Sequence, residues 1–150
     1  MSSVYVRTEI KNFIATEFPL EKVIDLSGQY ETMDQIIDNE GLAPDDPWLG
    51  IEFIANDEVP ITVPATNSQG RYREDGAVYF HIVEVASLGN SGTILSRGES
   101  LRNKLRGQRI GQIIVESITP LNFGSGATLQ FEGGYTSASF VLSYQRDLEL

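Results

Sequence analysis

The fold of this chain is decided by residues 77–85, which read Ala77-Val78-Tyr79-Phe80-His81-Ile82-Val83-Glu84-Val85. Apolar side chains occur at both the odd-numbered and the even-numbered positions of this segment. In contrast, a strand of an antiparallel sheet with one solvent-exposed face alternates apolar with polar residues. The segment therefore predicts a strand that is covered on both faces. In a chain of only 150 residues, we expect the second cover to come from a partner subunit, which favours an assembly protein over an enzyme.

The segment that precedes this strand predicts a hairpin. Apolar side chains alternate along residues 48–55, as in a half-buried strand, and the polar residues 67–70 form the expected tip. Pro60 and Pro64 donate no ladder hydrogen bond, so the first arm should become an edge or leave the sheet before the tip. The polar stretch 64–75 is predicted to be a long loop, which is either functional or a mobile tip.

The remaining periodicity predicts two helices and three further strands. Apolar residues at three- and four-residue spacing predict amphipathic helices over residues 3–17 and 93–106. The three further strands are expected at residues 112–119, 127–132 and 137–146. Two shorter elements are also expected, a strand at 23–26 and helical turns at 32–37. Within the second helix, Gly98 marks either a close approach to the sheet or a break.

These elements predict the fold class. Two helices beside a run of strands favour a single α+β domain over residues 1–150. We expect a mainly antiparallel, twisted sheet with both helices packed on one face and a long protruding β-hairpin.

The formal net charge of −10 is confined to one segment. Residues 21–58 hold eleven acidic residues against one base, Lys22, and the rest of the chain balances to zero. Tight binding to nucleic acid is not expected, since phosphate contacts need clustered Lys and Arg. The segment is either a solvated surface that aids solubility, a repelling wall beside a DNA path, or half of a charged subunit contact. In the last case the bases of residues 97–109 would face a neighbour's acids, although they also complement a helix dipole.

A search for chemistry predicts neither a catalytic site nor a bound metal or cofactor. His81 is the only histidine and there is no cysteine, so a zinc site would need three carboxylates, which is uncommon. A lone mid-strand histidine is more often structural than catalytic. No apolar run approaches the roughly 18 residues of a membrane span, and no signal peptide is recognisable. We expect a soluble protein, made in the cytoplasm, that is not an enzyme.

Three stretches carry a resemblance to a known family. They read Asp46-Pro47-Trp48-Leu49-Gly50-Ile51-Glu52-Phe53, Gly76-Ala77-Val78-Tyr79-Phe80-His81-Ile82, and Gly133-Gly134-Tyr135-Thr136-Ser137-Ala138-Ser139-Phe140-Val141-Leu142-Ser143-Tyr144. With the amphipathic helix before them and the single helix between them, they resemble the tail terminator proteins of long-tailed bacteriophages, the family of the minor tail protein U of phage lambda.

The resemblance implies a structural virion component at the head-proximal end of the tail, assembled in the host cytoplasm. Family members form a hexameric ring that caps the tail tube, stops polymerisation of the major tail tube protein and offers a surface to the head-completion or connector protein. The genome passes through the bore without specific binding, and no membrane is involved. We expect the subunit and partner contacts at Arg71, Arg73, Glu74, Tyr79, Val83, Arg97, Arg102 and Arg106.

Two alternatives stay open at this point. One is another part of the same assembly, a head–tail connector or a different minor tail protein. The other comes from a different class, a small acidic hydrolase with a site that the sequence does not reveal.

Overall fold

Helices and strands form where the periodicity places them. The computed structural model describes residues 4–27, 35–36, 40–41, 46–60, 71–85, 91–123 and 135–149. Helix α1 spans Val4–Glu17 and α2 spans Ser91–Leu105, and residues 35–36 are also helical. The strands are β1 Val23–Asp25, β2 Trp48–Pro60, β3 Arg71–Val85, β4 Arg109–Ile110, β5 Ile113–Ile118, β6 Asn122–Phe123 and β7 Tyr135–Glu149.

The described strands join into one mixed, curled sheet. Its order is β1-β2-β3-β7-β5-β4, and β6 pairs with β7 as well. Only β1 and β2 run parallel, and every other pair is antiparallel. The longest ladder joins β3 to β7 from Arg71↔Glu149 to Val85↔Tyr135. The predicted α+β domain with a mainly antiparallel sheet is confirmed.

Both helices pack on the same face of the sheet, as predicted. They bury their stripes in one core with alternate residues of β2, β3, β7 and β5; the helical members are Val6, Ile10, Ile14, Ile94, Leu101 and Leu105. Helix α2 runs unbroken through Gly98, where an added Cβ would lie 2.6 Å from Leu121 Cδ1. Of the two interpretations of Gly98, a break in the helix is therefore wrong and a close approach is confirmed. The helix approaches Leu121, however, and not the sheet.

Part of the opposite face of the sheet, around Trp48 and Val83, is covered by this same chain, so at these two residues the expectation that a partner subunit supplies the second cover is wrong. Trp48 and Val83 are opposite each other in the ladder and both are fully buried. Ile24 and Leu26 are at most 4% exposed, and a Cβ on Gly50 would meet Leu26 Cδ1 at 2.7 Å. None of these residues belongs to the helix-side core, so they form a second, smaller cluster.

The hairpin is longer in regular structure than predicted. Residues 71–75, expected in a loop over 64–75, lie in β3 and pair with both β2 and β7. The predicted tip at 67–70, the strand at 127–132 and most of the turns at 32–37 lie outside the described residues. Pro60 ends β2, and beyond Phe53 this strand has no neighbour but β3 among the described strands, so the predicted edge is confirmed.

Candidate assembly surfaces

The three long strands β2, β3 and β7 continue past their own last residues in the helix-side core, while β5 and β4 still pair beside β7 at residues 145–146. The last core residues of the three long strands are Phe53, Val78 and Tyr144, yet the ladders run on to the ends of the strands. We name this extension, residues 57–60, 71–75 and 145–149, the arm. It is the part of the sheet that protrudes, as predicted for the hairpin.

The arm places like charges opposite each other. Asp57 pairs in register with Asp75, and Glu58 with Glu74. Like charges directly opposite across two strands are destabilising. The negative charge of Glu74 is stabilised by two residues of the same chain. Tyr144 Oη donates a hydrogen bond to its Oε2 at 2.8 Å, and Arg146 Nη1 lies 3.8 Å from its Oε1. Asp75 has no such pairing contact among the described side chains.

Arg73 contributes an exposed pair to the arm. Its Nε donates to Asp147 Oδ1 at 2.8 Å. The hydrogen bond and the charge of Asp147 raise the pKa of Arg73. Because the pair is exposed to solvent, it adds little to stability. The side chain of Arg71 is outside the described set, and its backbone pairs with Glu149.

The segment that joins the end of α2 to β5 has only basic charges of its own, and Glu9 and Glu17 of α1 lie beside it. Residues 102–112 contain four bases and no acid; we name this segment the basic edge. Arg102 donates from Nε to the Thr119 carbonyl at 2.9 Å and from Nη1 to Glu99 at 2.8 Å. Lys104 lies 3.1 Å from Glu17. Arg106 and Arg109 are exposed, and neither forms an ion pair with any residue that the structure describes.

The segment around β2, on the opposite side of the arm, contains acids and no base. Residues 46–60 contain Asp46, Glu52, Asp57 and Glu58 and no base. At the level of the arm, β2 is the outermost strand on that side. We name residues 57–60 of β2 the acidic edge; the acidic edge and the basic edge lie on opposite sides of the sheet.

Arg97, predicted to contact a neighbour, is an internal link. Its guanidinium donates to Glu21 Oε1 at 2.9 Å and to Glu84 Oε1 at 2.9 Å. Burial opposes the charge of Arg97, but the hydrogen bonds to Glu21 and Glu84 outweigh it and raise its pKa. Glu21 belongs to the acidic segment, so part of the predicted acid–base pairing takes place within one chain. The contact joins α2 to the turn after α1 and to the end of β3.

Tyr79 and Val83 are placed differently although both were predicted at a contact. Tyr79 is half-buried on the sheet face opposite the helices, with its ring stacked 6.2 Å from that of His81. Val83 is fully buried, so it offers no surface to a second subunit in this conformation. Of the predicted contact residues with described side chains, Arg73, Tyr79 and Arg106 retain accessible surface beyond their in-chain contacts.

A buried polar row crosses the same face. His81 Nδ1 lies 2.6 Å from Ser139 Oγ, and His81 Nε2 lies 3.3 Å from Glu52 Oε2. The three residues are 0%, 4% and 4% exposed in the order His81, Ser139 and Glu52. A hydroxyl, an imidazole and a carboxylate in this order are the parts of a nucleophilic triad, and equally of a buried structural network. Sequence reasoning missed the row because its members come from three strands.

Other features of the described part of the chain point to no ligand. No three His, Cys, Asp or Glu side chains there are grouped to hold a metal ion. A cleft of about 370 Å³ separates the end of α1 from α2, and its one guanidinium, that of Arg97, is already bound to two carboxylates. No helix in the described ranges is long and apolar enough to cross a membrane.

Comparison with known proteins adds no relative. No protein-family model matches this sequence, and a search of the curated proteins finds no match to it.

Proposed function

We propose that this protein is a tail terminator of a long-tailed bacteriophage, a structural protein that caps the tail tube as a hexameric ring. The observation that carries the proposal is the long hairpin of β2 and β3, extended by β7 into an arm. The hairpin and β7 contain the three stretches that resemble the family, and they stand on an α+β domain with both helices on one face.

The charge distribution supports a head-to-tail ring. A heterologous contact needs two different, complementary surfaces on each subunit, and it closes into a ring when the rotation between subunits allows. The basic edge and the acidic edge lie at opposite ends of the strand order. Each copy can thus offer bases to one neighbour and acids to the other.

The proposed partners follow from the family. The ring binds the major tail tube protein on one side and the head-completion or connector protein on the other, at the head-proximal end of the virion tail. DNA passes through the bore unbound, which agrees with a formal net charge of −10. No catalysis and no cofactor are required for this role.

Two measurements test the proposal. Sedimentation and electron microscopy should show a ring of six copies of the 16.6 kDa chain, about 100 kDa in all, alone or on tube ends. Added to polymerising tube protein encoded by the neighbouring gene, the protein should halt tube growth. A protein that stays monomeric with the tube protein present and leaves tube growth unchanged would refute the proposal.

A small serine hydrolase is the second candidate, and the Ser139–His81–Glu52 row favours it. Ser139 Oγ would attack an ester carbonyl while His81 Nδ1 takes its proton and passes it to the departing alcohol; water would then release the acid. We rank it second because Ser139 is only 4% exposed. A fluorophosphonate probe should label wild type and Ser143→Ala but not Ser139→Ala. Absence of labelling on wild type rules this candidate out.

A further inference from the structure

One transverse row of the sheet connects the two charged edges. Asp57 pairs in register with Asp75, Asp75 with Gln145, Gln145 with Ile114, and Ile114 with Arg109. The next row runs in the same way from Glu58 to Ile110. Each row crosses five strands, about 19 Å at the usual strand spacing. An acid therefore stands at one end of the row and Arg109 stands at the other.

The position of this row along the strands constrains assembly. Because Asp57 and Arg109 lie in the same row, a second copy can bring its Arg109 beside Asp57 without sliding along the strand direction. A contact without such a shift suits a closed ring, whereas a shift at every contact would produce an open helical filament. Strand addition is hindered at this edge, since Pro60 cannot donate a ladder hydrogen bond. The contact is therefore one between charged side chains.

The two ends of the row carry opposite charges. At the basic end, Arg106 and Arg109 are exposed and make no ion pair with the described residues, whereas Arg102 and Lys104 are engaged within the chain. At the acidic end, the register sets Asp57 against Asp75 and Glu58 against Glu74. Glu74 already contacts Tyr144 and Arg146 of its own chain, so cations placed there would mainly offset the repulsion between Asp57 and Asp75.

We propose that Arg106 and Arg109 of one copy bind the acidic side of the arm, at Asp57, Glu58 and Asp75, of a second copy in a head-to-tail contact. The proposal rests on the proposed function, in that it names the subunit contact of the ring. It replaces the broader prediction that the bases of residues 97–109 all face a neighbour, because Arg97 and Arg102 bind groups of their own chain.

Reciprocal charge reversal tests the contact. Arg106→Glu with Arg109→Glu should weaken association at least about tenfold, as should Asp57→Arg with Glu58→Arg, because each sets like charges against each other. A mixture of the two variants offers the wild-type contact and the exchanged contact together, so the exchanged contact is tested alone only in the protein that carries all four changes. In that protein the charges are exchanged, and assembly should return to within about threefold of wild type. The readout is sedimentation equilibrium across a protein concentration series.

Matched controls separate this contact from a general effect of net charge. Lys22→Glu is compared with the single variant Arg109→Glu, which changes the charge by the same amount and should weaken association; Lys22 lies beside β1 on the other side of the sheet. Lys22→Glu should leave association at or above the wild-type level. Arg106→Lys with Arg109→Lys keeps the charge and should assemble. Circular dichroism and thermal unfolding verify that each monomer is folded.

The outcomes distinguish the contact from the function. A wild-type ring that survives Arg106→Glu with Arg109→Glu overturns the contact and leaves the terminator proposal standing. Loss of assembly in both double variants without recovery in the fourfold variant overturns it as well. A wild-type protein that never associates, alone or on tubes, overturns the contact and the terminator proposal together.

Discussion

Asp25 shows how one carboxylate fastens a helix to the edge of the sheet. Its Oδ2 accepts from Arg7 Nη2 and from Lys11 Nζ, each at 2.7 Å, and its Oδ1 accepts from the Ser27 backbone N–H at 2.9 Å. Burial raises the pKa of Asp25, but the hydrogen bonds from Arg7, Lys11 and Ser27 outweigh it and lower the pKa to about 2, from 3.8. The charged form is therefore favoured by folding.

Replacing Asp25 should make stability less sensitive to acid. Since the folded pKa of about 2 lies below the unfolded value of 3.8, the unfolded state binds more protons between them. The stabilisation is fully present well above pH 3.8 and is lost as the pH falls through about 2. Asp25→Asn should lower the free energy of unfolding by about 1–2 kcal/mol near neutral pH, after allowance for solvent screening. Denaturant unfolding at a series of pH values measures this.

Asp147 provides the control for Asp25. It also accepts a hydrogen bond from an arginine, Arg73, but the Asp147 side chain is 49% exposed against 12% for Asp25. Asp147→Asn should lower stability by less than about 1 kcal/mol. Equal losses from the two substitutions would show that the clamp on Asp25 adds nothing to stability.

Gly76 is required by the ring of Tyr144. The two residues are opposite each other in the β3–β7 ladder, and a Cβ at position 76 would overlap the phenol of Tyr144, whose Oη binds Glu74. Gly76→Ala should destabilise the protein by roughly 1–3 kcal/mol, as overpacking does. The pair Gly76→Ala and Tyr144→Ala, compared singly and together in thermal unfolding, should be non-additive. Strict additivity would contradict the proposed overlap.

At the scale of elements, α2 owes its stability to the face that it buries. Leu101 is 3% exposed in the core, whereas Leu95 on the same helix is 42% exposed. Leu101→Ala should lower the free energy of unfolding by about 2–5 kcal/mol. Leu95→Ala should change it by no more than about 0.5 kcal/mol. Chemical denaturation of the two variants measures the difference, and equal losses would contradict this assignment of the core.

Periodicity predicted the elements that bury apolar faces. The helices expected at 3–17 and 93–106 form at 4–17 and 91–105, because their stripes are long and regular. The arm was missed at residues 71–75, since Arg71-Tyr72-Arg73-Glu74-Asp75 has no alternating apolar pattern. These residues are held by ladders to β2 and β7 on both sides. Pairing of this kind depends on partners distant in sequence, which a local pattern does not encode.

The candidate contact residues show the same limit. The charge pattern predicted that Arg97 and Arg102 pair with acids of a neighbouring subunit, but they bind groups of their own chain, at Glu21, Glu84 and the Thr119 carbonyl. A sequence gives the sign of the charge that a segment carries, but it does not show whether the oppositely charged group lies in the same chain or in another subunit. For Val83, the apolar pattern correctly predicted a second cover and wrongly assigned it to another subunit.

The whole molecule combines a well-packed core with an arm in which like charges face each other across the strands. If the acids of the arm serve an assembly contact, neutralising one should have opposite effects on the monomer and on the ring. Asp75 faces Asp57 in the ladder, so Asp75→Asn should raise monomer stability by about 0.2–1 kcal/mol. The same change should weaken association, because it removes one acid that faces the arginines of the neighbour.

Two measurements on one protein decide this. Denaturant unfolding at a concentration too low for assembly gives the monomer stability, and sedimentation at higher concentration gives the association. Asp147→Asn again serves as the control, since its carboxylate is paired with Arg73 on the other outer strand of the arm; it should not stabilise the monomer. An Asp75→Asn variant that destabilises the monomer, or that stabilises it and assembles as wild type, would show that the repulsion in the arm is unrelated to assembly. If Asp75→Asn stabilises the monomer and weakens association, the acids of the arm destabilise the isolated monomer and stabilise the assembly contact.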